Sequence, residues 1–263
     1  MSLDVMSARV TLRDRSLLDT LDLTVRFVSS HLRQYAWLAL AVLLPSFLLT
    51  WAIGETFAWG WSWLAALGIA MLAEAPFTAL ASRLVFEENV RARDALKDAL
   101  AAVPRLIGAS LVQLVALGAG MMFFVLPAVW VGSTLLFVPE VVVLERGTVG
   151  GSLGRAHRIV AGQSGDALMT FLLLLAVRVA MPFLADSAGR SILEELLEIK
   201  APEALTSSGG GALALLGFWL FVPIGATARF LVYINLRTRV EGWDIQTRFA
   251  AIVRRAYATA GER

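Results

Sequence analysis

Six long apolar stretches alternate along the chain with short polar segments rich in arginine. Residues 35–53 and 106–126 hold no charge, while 57–82, 128–144, 167–185 and 212–236 hold only Glu74, Glu140, Arg178 and Arg229 respectively. A hydrocarbon core of about 30 Å takes about 20 helical residues to cross, with a working range of about 17–25. Each stretch therefore predicts a transmembrane helix. The shortest, 128–144, contains Pro139 and follows its predecessor across little more than Pro127. A tight hairpin is expected there, since residues 106–144 as one helix would run to nearly 60 Å.

Shorter amphipathic pieces precede the spans in pairs. Leu17, Leu21, Val25, Val28 and Leu32 recur at helical spacing, Ser16 with Asp19 reads as a capping box, and Asp22 with Arg26 forms a favourable pair one turn apart. An interfacial helix is expected, with packing on other cytosolic parts as the alternative. In 87–103, Ala92, Leu96, Leu100 and Val103 share a face, and Pro104 is expected to end that helix. A third piece covers 152–161. Together they suggest three parallel copies of one unit, an interfacial helix followed by a helical hairpin. After the fifth span, Ser191 with Glu194 reads as a second capping box ahead of Leu193, Leu196, Leu197 and Ile199, and 207–211 reads as a flexible link.

Composition agrees with the pattern. Of 263 residues 58% are hydrophobic and 17% charged, against about 25% charged in soluble domains. The chain has no Cys and only His31 and His157, which removes disulfides, Cys-ligated metal centres and thiol nucleophiles. No metal or cofactor is expected. A net charge of +2 gives no reason to expect nucleic acid. The distribution of charge says more: 20 of the 23 lysines and arginines fall in 1–34, 83–105, 145–166 and the tail from 229. Positive loops stay in the cytoplasm, so both termini are expected inside with an even number of crossings. The opening segment lacks the short apolar run of a signal peptide and is expected to be retained. The layout is a cytoplasmic segment 1–34, a six-span domain 35–236 and a basic cytoplasmic helix 237–263. The fold class is all-α, a polytopic membrane bundle.

Charges within spans cost at least about 2.5–3.5 kcal/mol each on insertion scales, so each is a functional candidate. At 1.5 Å per residue, Glu74 and Arg178 lie roughly 12 and 16 Å from the cytoplasmic edge, and Glu140 and Arg229 roughly 6 and 10 Å. Two ion pairs are expected, Glu74–Arg178 and Glu140–Arg229. Each either fixes helix register or lines a polar cavity. Trp51, Trp59, Trp61 and Trp63 are placed for an aromatic belt at the outer surface. Ala75 with Ala79, and Ala116 with Gly120, permit close helix contact. Gly150–Gly154 match Gly-x-Ser-x-Gly with His157 nearby, but the strand-to-helix setting of a nucleophile elbow is missing, and Ser152 reads as a helix cap. At the tail, Arg237 and Arg239 with Arg248, Arg254 and Arg255 point to anionic lipid headgroups or a cytosolic protein partner.

Tyr233, Asn235, Leu236, Arg237, Arg239, Glu241, Gly242, Trp243 and Asp244 resemble the Tyr-x-x-Leu-Arg-x-Arg-x-Glu-Gly-hydrophobic-Asp ending of a bacterial family. It is the membrane domain fused to some glycerophosphoryl diester phosphodiesterases, together with its stand-alone relatives. Asp19 to Phe27, Ala99 to Leu106, and the run from Val125 through Pro127, Pro139 and Glu145 to 152–162 resemble it too. Asn235 departs from the usual Asp, and 187–211 has no counterpart. The resemblance implies no enzymatic activity, because the phosphodiesterase barrel with its metal ligands is absent. It implies a helper or scaffold of the inner membrane. The expected function is thus a non-enzymatic scaffold or assembly protein, with a small transporter or lipid-handling protein built around Glu74 and Arg178 as the alternative.

Overall fold

The computed structural model describes residues 16–87, 89–145 and 147–240, and among these there is helix and no strand. Six segments are long and apolar enough to cross a membrane: α2 (Leu32–Thr56), α3 (Trp59–Phe86), α4 (Ala92–Met122), the pair α5 (Val125–Thr134) and α6 (Val138–Glu145), α8 (Ser164–Ser191) continued by a π turn (Ile192–Leu196), and α10 (Ala212–Val240). α1 (Leu17–Ser30) and α7 (Val149–Ala161) are short, and α9 (Leu205–Ser208) is a single turn. The protein is a multi-pass helical bundle. Six crossings bring α1 and the end of α10 to one end, where Arg33, Arg83, Arg91, Arg93, Arg155, Arg237 and Arg239 also lie. This is called the basic end below.

At the centre, α3 and α10 pack together and are covered by the other helices. Leu38, Phe77, Phe137, Trp219, Phe230 and Tyr233 are fully buried there. Polar side chains link the helices: Tyr35 Oη lies 2.8 Å from Thr227 Oγ1, Ser62 donates to the Thr50 carbonyl at 2.7 Å, and Trp219 Nε1 donates to Thr50 Oγ1 at 3.1 Å. α8 reaches α10 closely because position 217 is glycine; a Cβ there would stand 2.4 Å from the Met181 carbonyl oxygen. Close backbone approach of this kind is how small residues hold membrane helices together.

α1 begins as expected: the Ser16 side chain accepts from Asp19 N–H at 3.2 Å, and Arg26 meets Asp22 at 3.0 Å. Its inner face is Thr20, Thr24 and Phe27, against α10. The threonine hydroxyls bond back to carbonyls four residues earlier, so polar residues can pack there. Leu18 and Val25 face outward, and Leu32, expected on the same helix face, instead opens α2 beyond His31.

Three boundaries differ from expectation. Pro104 does not end a helix; α4 runs through it as one rod. The reason is a stripe of Ala95, Ala99, Ala102, Leu106, Ala109 and Gln113, buried on both sides of the proline. The lost hydrogen bond and ring clash of an interior proline, about 3 kcal/mol, are outweighed by that packing. The second amphipathic piece is therefore fused to its span, unlike α1 and α7. Ser191 does not cap a new helix either, because α8 continues through it into the π turn. Third, Ser152 lies inside α7; the cap is Thr148, which accepts from Gly151 N–H at 3.3 Å.

The expected hairpin forms, turning at Phe123–Phe124, with Gly120 so close to α5 that a Cβ would stand 2.9 Å from Ala128 Cα. At the far end, 207–211 is tied down. Trp63 Nε1 donates to the Gly209 carbonyl at 2.9 Å, Trp59 covers Gly54 and Gly210, and Asp186 accepts from Leu205 N–H at 3.1 Å. Gly209 has φ 73°, a left-handed turn that glycine adopts without strain. Trp51 and Trp61 point outward, while Trp59 and Trp63 clamp this loop.

Candidate functional site

Four charges from four elements meet inside the bundle. Arg178 of α8 places Nη2 2.8 Å from Glu74 Oε1 of α3. Arg229 of α10 places Nη1 2.7 Å from Glu74 Oε2 and Nε 2.5 Å from Glu140 Oε1 of α6. The sequence suggested two tiers, Glu74 with Arg178 and Glu140 with Arg229. Both contacts are present, but Arg229 also reaches Glu74, so the tiers merge into one chain: Arg178, Glu74, Arg229, Glu140. The side chain of Glu140 is fully enclosed, and that of Arg178, at 25% exposure, is the most open of the four. The Arg178 guanidinium carbon also stands 5.1 Å from the centre of the Phe218 ring, a cation–π contact.

The break between α5 and α6 brings in a fifth residue. Pro139 has no N–H to offer the carbonyl four residues back, that of Leu135. Two donors reach that carbonyl instead, Val138 N–H at 3.2 Å and Gln113 Nε2 of α4 at 2.8 Å. Beside this contact lies a cavity of about 140 Å³, lined by Glu74, Gln113, Arg178 and Arg229 with Pro139, Phe171 and other apolar groups. Among the described residues Gln113 Oε1, Arg178 Nε and Arg229 Nη2, with Glu140 Oε2 beside them in the network, have no hydrogen-bond partner. At about 30 Å³ per molecule the space suits a few waters, and it is below the roughly 300 Å³ at which small-molecule pockets begin. Gln113 was the residue sequence reasoning passed over. Its signal was there, a lone amide in an otherwise apolar span.

A second polar cluster closes the basic end. Glu145 accepts from Tyr233 Oη at 2.9 Å, meets Arg155 Nε at 2.9 Å and lies 3.4 Å from Arg237. Arg239 reaches Asp166 at 2.6 Å. Arg237 and Arg239, expected at lipid headgroups or on a partner, are thus engaged within the chain. Arg229, Tyr233 and Arg237 follow one another at steps of four along α10, so one helix face carries both clusters. Arg248, Arg254 and Arg255, with Gly242 and Asp244 of the tail motif, lie outside the described residues.

The Gly-x-Ser-x-Gly run lies within α7, where Ser152 is buried and His157 exposed. Five residues apart on a helix, they point in different directions. Among the described residues no three His, Asp or Glu side chains gather as metal ligands do. The chain matches no protein-family model, no curated protein and no solved structure.

Proposed function

We propose that the protein is a non-enzymatic scaffold or assembly module of the bacterial inner membrane, with both termini in the cytoplasm, and that its intramembrane charges are a structural clasp. The observation that carries this reading is the closure of the charge network. Glu74, Glu140, Arg178 and Arg229 sum to zero, each touches an opposite charge, and the space beside them suits water better than a metabolite. Opposite charges in contact offset part of the cost of keeping each in the membrane and fix the register of the helices that contribute them, although Glu140 Oε2, Arg178 Nε and Arg229 Nη2 find no partner among the described residues. The tail resemblance to stand-alone membrane-domain proteins points the same way.

The test is a double-mutant cycle on the first pair. Glu74→Gln and Arg178→Met should each lower stability in detergent by about 2–4 kcal/mol, and the double variant should recover most of it, because Arg229 and Glu140 still pair. Native mass spectrometry of gently extracted protein should then show a stoichiometric protein partner. A second reading, a small transporter or lipid-handling protein, is favoured by one feature: a broken span beside unpartnered polar atoms, as in transporter binding sites. It predicts that Glu74→Gln abolishes flux of a solute and leaves the fold intact, with a retained solute and no protein partner in the spectrum.

A further inference from the structure

At the basic end, the start of α2 and the start of α4 flank a cleft of about 540 Å³ lined by Arg33, Gln34, Trp37, Arg91 and Arg93, with Val90 and Ala92. Among the described residues it holds three guanidinium groups and no carboxylate. Two acids of this region are engaged elsewhere, Asp98 and Glu87 lying 2.6 and 2.9 Å from Arg83, and Asp94, in the first turn of α4, is not among the lining residues. Among the described residues none of the three cleft arginines pairs with a carboxylate. Arg93 stands 5.7 Å over the Trp37 ring, which orients its guanidinium. The N-cap of α4 is Arg91, whose side chain cannot accept a hydrogen bond, so the Ala92 and Arg93 amides have no side-chain cap, while Asp94 N–H donates to the Arg91 carbonyl at 3.0 Å. Unsatisfied amides at a helix start attract anions.

Deeper along the same two helices the character reverses. A groove of about 400 Å³ runs between α2, α3 and α4, past Ala41 and Pro45, Ala73 and Pro76, and Ala99 and Val103. Its one hydroxyl, Ser46, is spent on the Val42 carbonyl at 2.7 Å. Cleft and groove form one track, because Trp37, Ala41 and Pro45 follow at steps of four on α2, as Arg93 and Leu96 through Val103 do at helical spacing on α4. From Arg33 to Pro45 the track descends about 18 Å, which takes it from headgroup depth well into the hydrocarbon.

We infer that this track binds one anionic phospholipid, its phosphate held by Arg33, Arg91, Arg93 and the first amides of α4, and one acyl chain lying in the groove. The charge pattern selects this occupant. A planar guanidinium pairs with phosphate through two parallel hydrogen bonds, basic pockets between transmembrane helices suit anionic headgroups, and the groove offers nothing polar. The site is separate from the charge cluster and stands whether the bundle serves assembly or passage.

The test uses the full chain in detergent, titrated with dioleoyl phosphatidylglycerol or dioleoyl phosphatidylcholine and read by native mass spectrometry. The wild type should bind one phosphatidylglycerol at least about tenfold more tightly than phosphatidylcholine. R33Q/R91Q/R93Q should lose that preference. Ala41→Phe, at an exposed position, should block the groove and weaken binding without touching the arginines. A photoactivatable acyl chain on phosphatidylglycerol, used with unaltered protein, should crosslink to residues 41–46 and 96–103. The proposal is overturned if the triple variant keeps the wild-type preference, if inorganic phosphate displaces the lipid completely, if crosslinks fall elsewhere, or if a protein chain is found seated in the groove.

Discussion

α3 and α10 are inner helices, with 61% and 72% of their most apolar windows buried, whereas α2, α4 and α8 are outer ones, with 17–22% buried. All five are apolar enough to cross a membrane. In a soluble protein the more hydrophobic helix would be the inner one; here lipid and protein interior are equally apolar, so hydrophobicity does not sort them. Two other properties do. The inner helices carry small residues toward several neighbours, Ala66, Ala70, Ala73, Ala75 and Ala79 on α3 and Ala214, Gly217 and Ala226 on α10, whereas outer α4 keeps Ala95, Ala99, Ala102, Ala109 and Gly120 to one buried stripe. They also carry Glu74 and Arg229, the two charges at the middle of the network. The outer helices present Leu, Val and Phe to the surroundings, and their polar groups, such as Gln113 and Arg178, point inward.

Removing Arg229 breaks the contrast most severely. Arg229→Met leaves fully enclosed Glu140 without its cation, and a loss of about 3–5 kcal/mol is expected on unfolding in detergent. A loss under about 1 kcal/mol would mean that this network does not hold the inner pair. Packing comes next. Gly217→Ala should cost about 1–3 kcal/mol, because the new methyl meets the backbone of α8. Gly118→Ala on the outer face of α4, with nothing within 4 Å, should be neutral or slightly stabilising, and equal effects at the two positions would remove the distinction between inner and outer helices.

At the loop opposite the basic end, Trp63→Phe deletes the bond to the Gly209 carbonyl. About 1 kcal/mol is expected, with faster hydrogen exchange confined to the neighbourhood of 205–211; unchanged exchange would show that the tryptophan clamp is not what orders the loop. The smallest effect belongs to Val115→Ala, 71% exposed on α4, expected to lie within about 0.5 kcal/mol of the wild type. A larger loss would indicate that this face is covered by something other than lipid.

The fold class and the number of spans follow from the pattern of apolar runs alone. Backbone groups in hydrocarbon must satisfy themselves within a helix, so apolar runs of membrane-crossing length translate directly into helices, and all six appear where the runs are. It also marked Glu74, Glu140, Arg178 and Arg229, since a charge in such a run stands out whatever the fold. What it could not determine is how these four connect. Depth along a helix follows from residue number, but which helix faces which depends on packing around the bundle, and that is what lets Arg229 serve Glu74 as well as Glu140. The same holds for Pro104 and Ser191, which read locally as a stop and a start. An interior proline costs about 3 kcal/mol, which the buried stripe of α4 outweighs, and a serine cap is worth about 1 kcal/mol, too little to start a new helix at Ser191 where α8 runs on. The phospholipid track is likewise a property of the tertiary structure: Arg33 and Arg93 are 60 positions apart, and only the packing of α4 beside α2 makes them one site.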